Sequence, residues 1–146
     1  GLAMTPGGSL FIGEAGGQRV LRVQGGTLTR IAGVFTSPAS SHSGYGGPAS
    51  NARFYENCGV AVDPDGNVLL ATMQPNGLAL LDSLGSVINI GGTGEGPGGA
   101  VGQPDGSPAT LVRLNTPEDV AIAPDGTIYV SDLGLSTIRI LRREPF

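Results

Sequence analysis

The feature that most constrains this chain is one pattern written three times. It reads LAMTPGGSLFIGE at residues 2–14, VAVDPDGNVLLAT at 60–72 and VAIAPDGTIYVSD at 120–132. In each copy a turn separates two apolar runs, which predicts an antiparallel hairpin. Three copies in register indicate a repeat protein. The residues predicted to form the turns are Pro6, Gly8, Pro64, Asp65, Gly66, Pro124, Asp125 and Gly126.

The length of the repeat indicates its architecture. The turn prolines Pro6 and Pro64 are 58 residues apart, and Pro64 and Pro124 are 60 apart. Each unit has room for four short strands and one long loop, as a propeller blade with an insertion has. We therefore predict an all-β fold, a β-propeller segment of about three four-stranded blades in which the last blade is incomplete.

The predicted boundaries follow from the repeat. Blade 1 covers residues 1–33, blade 2 covers 59–92, and the incomplete blade 3 covers 119–146. Crossover loops at 34–58 and 93–118 join them, and the segments around Arg53 and Arg113 match at a spacing of 60 residues. The loops are thus part of the repeat, and we expect the segment to belong to a larger propeller.

Composition excludes several classes of protein. The chain has 26 glycines and 11 prolines without a triplet period, which excludes collagen and predicts many tight turns. Its net charge is -4 and its arginines are scattered, so nucleic acid is not an expected partner. The single Cys58 excludes an internal disulfide and is predicted to be a small buried residue. No apolar run approaches the roughly twenty residues of a membrane span.

Strand order predicts a binding face. In an up-and-down blade, the connection between the second and third strands emerges at the same end as the crossover to the next blade. Loops at that end commonly carry function. The candidate residues on this predicted face are Glu14, His42, Tyr45, Gln74, Asn76 and Asp132.

Catalytic, metal and cofactor motifs are weak in this sequence. Asp63 and Asp65 flank a proline as in a calcium loop, but an ordinary turn with a side-chain cap explains them better. His42 lies among serines, but the spacing of these residues and the acidic residues does not indicate a catalytic triad. The glycine-rich stretch at 91–99 has no lysine and no following helix, unlike a phosphate loop. We predict no catalytic, metal or cofactor residue, although a metal held by His42 and acids from several blades stays an open alternative.

Several polar residues are predicted to be structural. Arg53 and Arg113 precede an inner strand and are expected to hydrogen-bond across the loop between blades rather than to contact a ligand. Asp132 and Glu14 are expected to cap the neighbouring turn.

A propeller blade hides its two faces only against neighbouring blades. Three blades therefore leave two apolar flanks open to water. We expect that further blades cover these flanks or that copies of the chain complete one another, and that the isolated chain self-associates or aggregates.

The residues also resemble a known family. GVAVDPDGNV at 59–68 and IAPDGTIYVSDLG at 122–134 are similar to NHL repeats, and the linkers at 44–54 and 104–115 resemble those of the teneurin-type subgroup. The resemblance implies a non-catalytic recognition or scaffold module that contacts a protein or a glycan, with an extracellular or cell-surface location favoured and no cofactor. The sequence departs from the family at Thr72, where an acidic residue is usual, and at residues 73–76, which replace a glycine-asparagine turn.

The resemblance leaves a second class open. NHL-like propellers include lyases and hydrolases with a metal or acid cluster at the central channel. The predicted channel-lining strands here, at 2–4, 60–62 and 120–122, are nearly all aliphatic. That composition favours the non-catalytic interpretation.

Overall fold

The structure is a computed structural model that describes residues 1–35, 43–74, 76–94 and 105–142. These residues form three antiparallel sheets, in which neighbouring strands are consecutive in sequence. The first sheet contains β1 (Leu2–Met4), β2 (Leu10–Glu14), β3 (Arg19–Gln24) and β4 (Thr27–Ala32). The second contains β5 (Tyr55–Val62), β6 (Val68–Gln74), β7 (Asn76–Leu81) and β8 (Val87–Gly91). The third contains β9 (Pro117–Ile122), β10 (Ile128–Asp132) and β11 (Thr137–Leu141).

Short helices are the remaining regular structure. Three 3₁₀ turns lie at Ala49–Asn51, Ala109–Leu111 and Leu133–Leu135. In the described part of the chain, no helix has the length and apolar character needed to cross a bilayer. The three sheets confirm the predicted all-β blades, with only three strands in the last one as far as the structure describes it.

The hairpin turns close where the repeat places its proline and glycine. The amide of Gly66 donates to the carbonyl of Asp63 at 3.0 Å, and Gly66 has φ +85°, which favours glycine. The carboxylate of Asp63 also accepts from the amide and the side chain of Asn67, both at 2.8 Å. Asp63 therefore caps its own turn, as the turn interpretation predicts.

The core consists of two layers, one on each side of the second sheet. One layer lies between the first and second sheets and includes Phe11, Val20 and Leu70. The other lies between the second and third sheets and includes Leu69 and Val130. Leu69 and Leu70 are both 0% exposed because alternate side chains of β6 enter opposite layers. The second sheet is thus covered on both faces.

Three segments differ from the predicted boundaries, and one of them is β9, which begins at Pro117 inside the loop predicted at 93–118. β5 begins at Tyr55, inside the loop predicted at 34–58, because the first crossover pairs with the second sheet before the core strand starts. Gly46 donates to the carbonyl of Val87 at 2.7 Å, and Val87 donates to Gly47 at 3.0 Å. β6 extends to Gln74 and β7 begins at Asn76, so strand residues occupy positions where the family has a turn. Thr72 pairs with Gly77 and Met73 with Asn76, so the backbone groups of this segment are used in the ladder.

The two-sided burial of the second sheet predicts a large cost for truncation there. We expect Leu69→Ala to lower the free energy of unfolding by about 2–5 kcal/mol, since it removes buried methyl groups and leaves a cavity. Leu84→Ala is the matched control, because Leu84 is 91% exposed and its loss is expected to change stability by about 0.5 kcal/mol or less. Urea unfolding followed by circular dichroism measures both. Equal costs for the two variants would contradict the assigned core.

Candidate functional site at the crossover loops

The two crossovers dock on the preceding sheets by the same backbone hydrogen bonds. After β4, Gly33 donates to Ala49 at 3.0 Å and Val34 donates to Ala52 at 2.9 Å. After β8, Gly92 donates to Ala109 at 2.9 Å and Thr93 donates to Val112 at 3.1 Å. The acceptors lie in or just after the 3₁₀ turns at Ala49–Asn51 and Ala109–Leu111. The 60-residue register therefore holds for the crossovers as well as for the strands.

A close backbone approach brings the crossovers to the loops between second and third strands. A Cβ atom on Gly92 would lie 2.6 Å from the Cα of Gly77, and Gly92 has φ +86°. Neither the space nor the backbone conformation suits another residue. At the matching position, a Cβ atom on Gly33 would lie 2.8 Å from the Cα of Arg19. The two kinds of loop thus meet at one end of the sheets, as strand order predicts.

Asn76 links the second sheet to the segment that leads into the third sheet. Its side chain is 2% exposed, and its Oδ1 accepts from the amide of Thr116 at 3.0 Å. The two residues are 40 positions apart in the chain. Thr116 has a positive φ of 63°, as does Glu56 with 48° at the matching place in the first crossover. The backbone at this point is thus shaped for a specific contact.

Asp132 holds the same segment from the other side. It is 1% exposed, and its Oδ1 and Oδ2 both accept from the amide of Asn115, at 3.1 and 3.0 Å. The carbonyls of Asn115 and Thr116 accept from Gly134 at 2.8 Å and Leu133 at 3.1 Å. We call Asn115 and Thr116 the clamp. It joins the Asn76 side chain to the loop that follows β10.

Burial controls the ionisation of Asp132. Burial raises the pKa of this carboxyl, while hydrogen bonds from the backbones of Asn115 and Leu135 and the nearby charge of Arg139 oppose the rise. A raised pKa is a property that acid–base catalysts share with buried structural acids. Here the two carboxylate oxygens are already used by the clamp.

Tyr45 of the first crossover makes a polar contact with Thr72 of β6. The ring of Tyr45 packs edge-on against Phe54, with ring centroids 6.5 Å apart. Burial raises the pKa of the Tyr45 hydroxyl, and a hydrogen bond with the Thr72 side chain opposes the rise. The hydroxyl of Thr72 also donates to the carbonyl of Gly77 at 3.2 Å. Thr72, which departs from the family pattern, therefore has a structural role of its own.

Glu14 is separate from these contacts. Its Oε2 lies 2.7 Å from Nη2 of Arg19, and the two side chains are 38% and 39% exposed. A half-exposed ion pair of this kind contributes about 0–1 kcal/mol. Glu14 bridges β2 to β3, whereas Asp132 caps the segment that enters its own sheet.

The remaining predicted residues lie elsewhere in the structure or outside the residues that it describes. His42 lies outside the described residues, as do the side chains of Gln74 and Cys58. Arg53 is exposed, and its backbone amide donates to the carbonyl of Ser43 at 2.9 Å. Arg113 is half-buried. Of the candidates, the structure brings Asn76 and Asp132 together at the clamp, places Tyr45 against Thr72, and leaves Glu14 apart.

A shallow pocket opens beside Asp132. Its volume is about 240 Å³. Within the ranges that the structure describes, no three histidine, cysteine, aspartate or glutamate residues are grouped to hold a metal ion. The pocket lies beside the exposed face of the third sheet, and its lining residues are Glu118, Ser131, Asp132, Leu133, Ser136, Thr137 and Ile138.

Comparison with known families and curated proteins gives a limited match. The strictosidine synthase-like, N-terminal family matches residues 109–134, from the 3₁₀ turn of the second crossover into the 3₁₀ turn that follows β10. This family is one of β-propellers. No curated protein shows a significant match to the chain.

Solved structures show the fold over nearly the whole chain. An auxiliary nutrient binding protein from Bacteroides ovatus aligns over 99% of this chain and 37% of its own, with 18% identity and a TM-score of 0.74. A gluconolactonase from Xanthomonas campestris aligns over 93% of this chain and 35% of its own, with 21% identity and a TM-score of 0.56.

A virginiamycin B lyase from Staphylococcus aureus aligns over 97% of this chain and 36% of its own, with 12% identity and a TM-score of 0.58. The chain thus spans about a third of the length of these structures. Together they establish the propeller fold, with blades that match both binding proteins and enzymes.

The Asn76 contact predicts a measurable stabilisation between sheets. We expect Asn76→Ala to lower the free energy of unfolding by about 1–3 kcal/mol, because it leaves the Thr116 amide without its acceptor. Asn51→Ala is the control, since Asn51 is exposed at the end of a 3₁₀ turn. Chemical unfolding of the two variants and the parent measures the effect. A cost for Asn76→Ala no larger than that of the control would contradict the contact.

The raised pKa of Asp132 predicts a pH dependence. The folded state holds the Asp132 proton more tightly than the unfolded chain, so the protonated form stabilises the fold below the ordinary value of 3.8, and this contribution is lost as pH rises through the folded pKa. Asp132→Asn keeps an acceptor for Asn115 but does not titrate. We therefore expect the parent to lose stability relative to this variant as pH rises above 3.8. Urea unfolding at a series of pH values tests this, and a difference that is constant or of opposite sign would contradict it.

Proposed function

We propose that the chain is a non-catalytic recognition and assembly module that makes its contacts through the outer faces of its first and last sheets. The observation that carries this proposal is the apolar outer face of the first sheet. The loops at the crossover end support the sheets and add polar contacts at the rim.

The outer face of the first sheet has apolar residues on all four strands, and Glu14, Arg19 and Arg30 lie on the same face beside them. The register pairs Leu2 with Ile12 and Ile12 with Leu21, and opposed residues point to the same face. Met4 and Leu28 are on this face and are 68% and 60% exposed, and Leu2 is 68% exposed. We call this surface the leading flank, which comprises Leu2, Met4, Leu10, Ile12, Leu21, Val23 and Leu28.

The outer face of the third sheet is a second, smaller apolar surface. Tyr129 is opposed by Ala121 on one side and by Ile140 on the other. Tyr129, Ile138 and Ile140 are 39%, 64% and 53% exposed. We call the surface of Ala121, Tyr129, Ile138 and Ile140 the trailing flank. Contiguous apolar faces of this kind mark contact surfaces in soluble proteins.

The polar network of the crossover end supports a scaffold role more than ligand binding there. Asn76 and Asp132 are 2% and 1% exposed, and their oxygens accept hydrogen bonds within the chain. A ligand would have to compete with the clamp for them. The description of one structural neighbour as a nutrient binding protein supports recognition as the general role. The teneurin-type resemblance supports an extracellular protein or glycan as the partner.

An enzyme is the second candidate. The observation in its favour is the buried, pKa-raised Asp132 beside the pocket of about 240 Å³. Structural neighbours named as a lyase and a gluconolactonase support it. The predicted channel-lining residues 2–4 and 120–122 oppose it, since they are nearly all aliphatic. Asp132→Asn discriminates the two, because a catalytic acid would be needed for any turnover and a scaffold residue only for stability.

The assembly proposal predicts that association depends on the leading flank. We expect the chain to associate at micromolar concentration in sedimentation velocity experiments, and to bind a hydrophobic dye when it is diluted to monomer. Met4→Lys combined with Leu28→Lys should weaken association at least tenfold, because the charged groups would have to be desolvated. Leu84→Lys is the matched control, since Leu84 is 91% exposed in the turn between β7 and β8. A chain that stays monomeric and binds neither dye, glycan nor protein would overturn the proposal.

A further inference from the structure

We propose that Asn76 is a latent site of spontaneous deamidation, which stays closed as long as the clamp joins the second and third sheets. When this junction opens, the pair Asn76 and Gly77 converts to an isoaspartyl linkage, and the junction no longer closes as before. The site lies between two sheets that the structure describes, and it depends on neither flank.

The sequence contains one pair of residues in which this reaction is easy. The chain has six asparagines, and Asn76 is the only one that a glycine follows. Glycine has no Cβ atom to hinder attack by its amide nitrogen on the preceding side chain, and its backbone reaches conformations that other residues avoid. The reactive asparagine is the same residue that binds the clamp.

The reaction needs only the chain and water. The amide nitrogen of Gly77 attacks Cγ of Asn76 and forms a bond to it. The bond from Cγ to Nδ2 breaks, and Nδ2 takes the proton of the Gly77 amide and leaves as ammonia. Water then opens the resulting imide ring at one of its two carbonyls. One opening gives aspartate, and the other gives isoaspartate, in which the main chain runs through the former side chain.

The folded structure holds the reacting groups in a conformation that does not permit the attack. Oδ1 of Asn76 accepts from the amide of Thr116 at 3.0 Å, which fixes the side-chain amide. Asn76 and Gly77 pair with Met73 and Thr72 in the ladder of β6 and β7. An extended backbone keeps the next amide nitrogen out of line with Cγ, so ring closure requires this segment to leave the ladder.

Packing also closes the site to water and to movement. Asn76 is 2% exposed and Gly77 is buried. A Cβ atom on Gly92 would lie 2.6 Å from the Cα of Gly77, so the backbone after β8 leaves no room for the bend that cyclisation needs. The imide can therefore form only when the segments packed on this end of the second sheet have moved away.

Isoaspartate would not fit the closed junction. It adds one methylene group to the main chain between residues 76 and 77 and leaves a carboxylate on a shorter stem. The longer main chain shifts the pairing of β7 with Thr72, because a ladder tolerates an insertion only by changing its register. The shorter stem takes the acceptor away from the amide of Thr116. The change is one-way, since the ammonia has left.

Opening of the junction controls the rate of the reaction. When a packed segment opens and recloses quickly, the rate of a reaction in the open state follows the population of that state. Asp132 limits this population, because both of its carboxylate oxygens accept from the amide of Asn115 in the clamp. A change at Asp132 in the third sheet should therefore alter the rate at Asn76 in the second.

Ageing of the protein at neutral pH tests the chemistry. Peptide mapping by mass spectrometry follows the change from amide to acid at Asn76. We expect a free peptide of residues 74–79 to deamidate at least a hundredfold faster than the folded protein, and the protein in concentrated urea to approach the rate of the peptide. In the peptide, Gly77→Ala should slow the reaction at least tenfold. Equal rates in the peptide and the folded protein, or no reaction in urea, would overturn the proposal.

Variants of Asp132 test the control by the clamp. Asp132→Ala removes the acceptor of the Asn115 amide, and we expect it to speed deamidation at Asn76 at least tenfold. Asp132→Asn keeps an acceptor and should change the rate less than threefold. Val20→Ala is the matched control, since Val20 is 0% exposed in the layer on the other side of the second sheet. Equal acceleration by Val20→Ala and Asp132→Ala would show that global unfolding controls the reaction, and the clamp would then have no part in it.

Hydrogen exchange tests the same control without a variant. At urea concentrations below the unfolding transition, exchange of the Thr116 amide reports the opening of its bond to Asn76. We expect this exchange rate and the deamidation rate to rise in parallel. Deamidation that stays constant while exchange rises would contradict the role of the junction.

The aged protein tests the one-way character of the change. The isoaspartate form can be separated by chromatography and identified by an isoaspartyl methyltransferase. We expect its Thr116 amide to exchange at least tenfold faster than that of Asn76→Asp, which keeps an acceptor on a stem of the same length as asparagine. Equal exchange in the two proteins would show that the junction closes over isoaspartate, and the one-way switch would be wrong.

Discussion

The packing of the second sheet between its two neighbours is the interaction on which the rest of this structure depends. The sheet presents Leu70 and Ala79 to one side and Leu69 and Leu78 to the other, and all four are fully buried. Burying a leucine side chain contributes about 1.5–3 kcal/mol to stability. Two layers of such residues therefore stabilise the sheet more than the pairing of its short strands does. Without a neighbour on each side, the sheet would expose an apolar surface to water. The outer sheets are in that position on one face each.

The backbone of the crossovers fixes the register of this packing. Apolar faces alone tolerate sliding, whereas hydrogen bonds have definite partners and directions. Gly92 and Thr93 donate to the 3₁₀ turn of the second crossover, and the clamp of Asn115 and Thr116 then binds both Asn76 and Asp132. The polar residues at this end therefore define how one sheet meets the next. Their burial explains why they are poor candidates for contact with a ligand.

Much of the fold could be predicted from the sequence, and the clamp could not. The repeated turns around Pro64 and Pro124 predict the hairpins, and the alternation of apolar residues predicts which faces are buried. The contact of Asn76 with Thr116 spans 40 residues, and nothing in the local pattern of either residue indicates it. The early start of β5 at Tyr55 could not be predicted either, because it depends on pairing with another strand rather than on local propensity. Thr72 departs from the family pattern and its partner Tyr45 lies in a loop that has no strand pattern, so nothing local to either residue indicates their contact.

The clamp also bears on how the chain comes apart. Repeat proteins often lose their units one at a time, since each unit contacts only its neighbours. Here a single dipeptide serves two sheets at once, with the amide of Thr116 bound to one hairpin and its carbonyl bound to the loop of the next. If either sheet unfolds, a buried polar group of the other sheet loses its hydrogen-bond partner. The second and third sheets are consequently coupled into one cooperative unit, and the loss of order should spread across both rather than stop at the boundary between repeats.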